Sequence, residues 1–123
     1  MIQVNRLSVG VSARDNVAVV PDAPLLSRFA NDPEMRELVA LFVTEAPDRL
    51  REIRASWEAS DLRRLRMLAH QIKGAAGGYG YPEVSAAAAA LEAAANDARA
   101  TKQGVQPALD TFTALLSRVV IAG

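Results

Sequence analysis

From residue 33 onward the apolar positions recur at intervals of three and four, the period of an α-helix, with turn-forming residues between the runs. The pattern predicts an all-α protein, an up-and-down four-helix bundle with a short extra helical segment before it. The first run, NDPEMRELVALFVTEAPDRLREIRASW, opens with Asp32 as N-cap, Pro33 at the first helical position and Glu34 in the first turn. Its expected inward stripe is Met35, Leu38, Phe42, Ala46, Leu50, Ile53 and Trp57. Pro47 should bend this helix, but the stripe keeps its phase on both sides. A second helix is expected from Asp61 to Gly78, with Leu62, Leu65, Leu68, Ala69, Ile72 and Ala76 inward.

YGYPEV breaks the second helix, and Pro82 starts a third whose inward face is Val84, Ala87, Ala88, Leu91, Ala95 and Ala98. Its many alanines allow a neighbouring helix to come close. Gly104 in TKQG suits a helix-ending turn, after which a last helix carries Val105, Leu109, Phe112, Leu116 and Val119. Tyr79, Tyr81, Trp57 and Phe42 are expected to pack in or beside the core. APLLSRFA reads as an extra helical turn or two capping one end, and residues 1–22 as an irregular arm. The expected division is an arm over 1–22 and a bundle over 23–123.

Composition narrows the function more than the fold. Fourteen basic and fourteen acidic residues cancel among the 123, so no overall charge points to nucleic acid or an anionic membrane as partner. There is no cysteine and only one histidine, which removes thiol chemistry and leaves almost no zinc or copper chemistry; no metal site is expected. No run approaches the roughly 18 apolar residues of a membrane span, and the first twenty residues carry charges where a signal peptide needs an apolar stretch. A cytoplasmic monomer is the expectation.

The lone histidine stands in HQIKGAAGGYG, which holds four of the seven glycines. Each glycine inside a helix costs about 1 kcal/mol relative to alanine, so the cluster requires a reason. On a helical wheel His70 lies about 150° from the centre of the second helix's apolar set, and so projects outward. Arg63, Arg66 and Lys73 share its face, as do Gly74 and Gly77, while Met67 and Gln71 border it. An exposed imidazole, with an ordinary pKa of about 6.5, offers a nucleophilic nitrogen without an activating base. A phosphoryl group on it would be offset by Lys73 and Arg66. Gly74 and Gly77, with Arg63, Met67 and Gln71, would form the surface on which a partner docks closely enough for transfer.

The sequence LAHQIKGAAGGYG followed by ALE resembles the signature of histidine-containing phosphotransfer (HPt) domains. The matching positions are His70, Lys73, Gly74, the small residues 75–78, Gly80, and Leu91 with Glu92; the resemblance spans residues 24–120. It implies that His70 takes a phosphoryl group from an aspartyl phosphate on one receiver domain, of a response regulator or hybrid histidine kinase, and passes it to another. It also implies no ATP binding and no cofactor of the chain's own, magnesium being supplied by the receiver, so the chain is not an enzyme in its own right. The family's neighbouring helix often supplies a polar residue to the second ring nitrogen; the alanine-rich stretch here identifies none.

Three alternatives differ in class. The histidine-acceptor segment of a sensor kinase usually has an acidic residue directly after the histidine, where Gln71 stands. The histidine-bearing input domain of a chemotaxis-type kinase has the same fold, although the Met1 start favours a free-standing module. In a non-catalytic helical adaptor His70 would be a bystander.

Overall fold

The computed structural model describes residues 23–97 and 99–120. The irregular arm expected over 1–22 and the inward placement of Ala98 lie outside the described residues. Four helices follow the four apolar runs: α1 (Arg36–Glu58), α2 (Leu62–Gly78), α3 (Pro82–Asn96) and α4 (Lys102–Leu116). The short connections between them favour antiparallel neighbours. α1 stays a single helix through Pro47. None of these helices is long and apolar enough to cross a membrane.

The caps explain where the helices start. Asp32 Oδ1 accepts the Glu34 amide at 2.9 Å and its carbonyl accepts Met35 and Arg36, so residues 33–35, Pro33 included, form a tight turn before the regular helix, and the N-cap position falls on Met35 without a side-chain cap instead of on Asp32 as expected. Asp61 caps α2 by accepting the Arg64 amide at 3.0 Å. Thr101 does the same for Gly104 at 3.1 Å, which places Gly104 in the first turn of α4 and not in the helix-ending turn expected of it. The threonine hydroxyl outweighs the glycine, since a side-chain cap is worth about 1 kcal/mol.

The core is built from the expected faces of α2, α3 and α4, except that α4 ends at Leu116, so Val119 is buried beyond the helix and not on it, and that α1 turns Val39 and Ser56 inward. Val39 is fully buried, whereas Leu38, placed inward by the sequence pattern, is 41% exposed. Both stand within a turn of Phe42, so spacing alone did not separate them. Phe42 packs at 5.3 Å between centroids on Tyr81, itself buried, and at 6.0 Å on Tyr79. Burying a side chain of Phe42's size contributes about 1.5–3 kcal/mol.

The APLLSRFA segment departs from the helical turn expected there. Leu25–Leu26 form a short strand, β1, paired in parallel with β2 (Val119–Val120). Turns follow, with the Ala30 amide on the Ser27 carbonyl and the Asp32 amide on that of Phe29. The physical reason is the docking of this strap on the α2–α3 connection. Ser27 Oγ donates to the Tyr79 carbonyl at 2.5 Å and accepts the Phe29 amide at 2.9 Å, while the Arg28 amide reaches the Gly80 carbonyl at 2.8 Å. Tyr81 adds its hydroxyl to the Val120 carbonyl at 2.8 Å. Gly80 sits at φ +90°, and a Cβ there would lie 2.5 Å from Ser27 Oγ and 2.9 Å from the Arg28 nitrogen. Only glycine fits both the backbone angle and the space.

Candidate functional site

His70 is in the middle of α2, with its side chain 65% exposed. Its position follows from the pattern: Ala69 and Ile72 turn inward and are buried, which leaves the two residues between them, His70 and Gln71, facing outward. α3 lies close because alanines line its buried face, and Ser85 of α3 donates its hydroxyl to the Lys73 carbonyl at 2.9 Å. That proximity brings Glu92, 22 residues further along the chain, to His70.

Glu92 ties the two helices together with both carboxylate oxygens. Oε2 lies 2.8 Å from His70 Nδ1 and Oε1 accepts Lys73 Nζ at 2.8 Å. The hydrogen bonds from Lys73 and then from His70 hold its carboxyl below the usual carboxylate range. An ionised carboxylate only accepts, so Nδ1 is the donor and, in the neutral ring, Nε2 carries the lone pair. Among the described residues nothing is hydrogen-bonded to Nε2. Arg66, one turn before His70, donates Nη1 to Asn96 Oδ1 of α3 at 2.6 Å.

A shallow depression is lined by Arg66, Met67, His70, Gln71, Glu92 and Asn96. Four of the residues singled out in the sequence therefore meet in one place. Arg63 borders a neighbouring depression together with Arg66 and Met67. Lys73 is on Glu92. Gly74 is exposed, and a Cβ on it would meet nothing within 4 Å, so the space beside it is open. Gly77 differs: a Cβ there would lie 3.3 Å from Ser85 Oγ, so its missing side chain serves the approach of α3 and not cleared docking space alone.

Glu92 and Asn96 are the members that sequence reasoning did not assign. The available signal was that Glu92 is the sole ionisable residue between 84 and 96 in an alanine tract, and that Asn96 follows it by one turn.

The structure is thus a four-helix bundle that holds one ring nitrogen of an exposed histidine and leaves the other without a hydrogen bond among the described residues. The sequence model of the Hpt domain matches residues 37–121, and the chain belongs to this family of phosphorelay and two-component signalling modules. Its domains are phosphotransfer carriers, and receiver domains are their partners. No curated protein and no solved structure gave a match.

Proposed function

We propose that the protein is a phosphoryl carrier in which His70 Nε2 accepts the group from a receiver-domain aspartyl phosphate and returns it to the aspartate of a second receiver. The supporting observation is the Glu92 carboxylate at 2.8 Å from Nδ1. With that carboxylate ionised, Nδ1 keeps the proton and Nε2 keeps the lone pair.

In uptake, Nε2 attacks phosphorus in line with the departing carboxylate oxygen. The N–P bond forms as the P–O bond breaks, and the proton stays on Nδ1. The ring becomes cationic as it gains the phosphoryl group, and ionised Glu92 stands where that charge develops. Arg66 offsets the charge of the incoming group, while Lys73 Nζ, 2.8 Å from Glu92 Oε1, holds that carboxylate in its ionised form. Gly74 leaves room for the receiver to close on the ring, since transfer needs donor and acceptor atoms in line at short range. Magnesium comes with the receiver's acidic pocket, and the chain contributes no cofactor.

The test is incubation with a panel of phosphorylated receivers, followed by mass spectrometry of His70. An acid-labile, base-stable phosphoryl label that a second receiver discharges, and that His70→Gln abolishes with the circular dichroism unchanged, is the expected result. A label obtained only with a histidine kinase and ATP would reassign the chain as a kinase input domain. No label from either source would leave a helical adaptor.

A further inference from the structure

The two cations beside His70 are held in different ways. Lys73 Nζ is bonded to a carboxylate, Glu92 Oε1, so its charge is already offset. Arg66 is bonded to a carboxamide, Asn96 Oδ1 at 2.6 Å, which fixes the guanidinium without neutralising it. Arg66 and Asn96 also line the same depression as His70. A guanidinium presents several donors in a planar fork, so one N–H can stay on Asn96 while others face an anion.

Resting on the carrier function above, we infer that the phosphoryl group on His70 is held by Arg66, that Asn96 is the positioning residue that holds Arg66 at the rim, and that Lys73 acts on Glu92 instead. The contact is between guanidinium N–H groups and phosphoryl oxygens; no covalent bond of Arg66 or Asn96 changes. Neutrality at position 96 is then the essential property. A carboxylate there would grip Arg66 at least as well but would cancel its charge and repel the phosphoryl oxygens. A merely structural cross-helix tie makes the opposite prediction, because Asn96→Asp would keep or strengthen it.

A small phosphoryl donor separates this role from partner docking. Phosphoramidate transfers its group to Nε2 as its own P–N bond breaks and ammonia leaves, with no receiver present. The whole chain is treated with phosphoramidate, and the label on His70 is followed by mass spectrometry for rate of uptake and lifetime, with the melting temperature of each variant recorded. Arg66→Ala is expected to slow uptake about tenfold, the scale of one charge-assisted contact, and Arg66→Lys to recover part of that loss. Asn96→Asp is expected to slow uptake a few-fold while the melting temperature holds or rises.

Wild-type rates in Arg66→Ala would overturn the assignment of the clamp. Wild-type rates in Asn96→Asp, with the bundle intact, would overturn the role of a neutral acceptor. If the wild-type protein takes no label from phosphoramidate or from any phosphorylated receiver, the carrier function itself fails, which is a separate result from unequal rates among labelled variants.

Discussion

Two glycines of the same eleven-residue stretch, Gly74 and Gly80, are there for opposite reasons. Beside Gly74 there is nothing within 4 Å of where a side chain would begin, whereas at Gly80 the same position is already filled by Ser27, Arg28 and Phe29. The first leaves a surface open to another molecule; the second lets the chain's own strap close on the α2–α3 connection. A sequence motif can therefore combine a requirement of recognition with a requirement of folding, and only the surroundings tell them apart.

The largest effect should come from the crowded turn. Gly80→Ala forces a β-carbon into a left-handed conformation and into the strap, and should cost about 3 kcal/mol or more in chemical denaturation. Unchanged stability would break the contrast. Gly74→Leu should do the reverse: the fold keeps or slightly gains stability from better helix propensity, while transfer from a phosphorylated receiver slows by roughly a hundredfold through misalignment. Labelling by phosphoramidate should be unaffected in that variant, and a parallel loss there would show that Gly74 acts on the ring itself and not on docking.

Smaller changes sharpen the same division. Ser27→Ala removes the hydroxyl that bonds the Tyr79 carbonyl and the Phe29 amide, and should cost about 1–2 kcal/mol in denaturation without altering uptake. Glu92, on the open face, should matter least for stability. Its folded pKa lies below the ordinary value of 4.5, so its contribution is fully present above that pH and is lost as pH falls through the lowered value. Melting curves from neutral to acid pH should show a slight loss in the wild-type protein that Glu92→Gln lacks.

Much of this architecture was legible in the sequence, because helical spacing and caps are local properties. The faces of α2 and α3 came directly from that spacing, as did the outward placement of His70. What escaped depends on residues far apart in the chain. Leu38 and Val39 flank the same stripe, and only the packing of α1 decides which enters. The pairing of Leu25 with Val119 joins the two ends of the described chain and leaves no periodicity to detect. Glu92 was visible as a lone carboxylate, but its meeting with His70 depends on how closely α3 lies along α2. Gly104 misled because glycine ends helices more often than it begins them, and the Thr101 hydroxyl settled the matter.

The strap has a consequence for where the domain can be cut. The family's match begins at residue 37, yet Leu25, Ser27 and Arg28 supply partners to Arg118, Tyr79 and Gly80, and Asp32 holds the turn that leads into α1. A fragment trimmed to the family's limits would leave three carbonyls at that end of the bundle without their donors and would lose the turn that leads into the first helix. The contacts that close this end of the bundle therefore reach back to Ala23, whose carbonyl accepts Arg118 Nε at 2.6 Å.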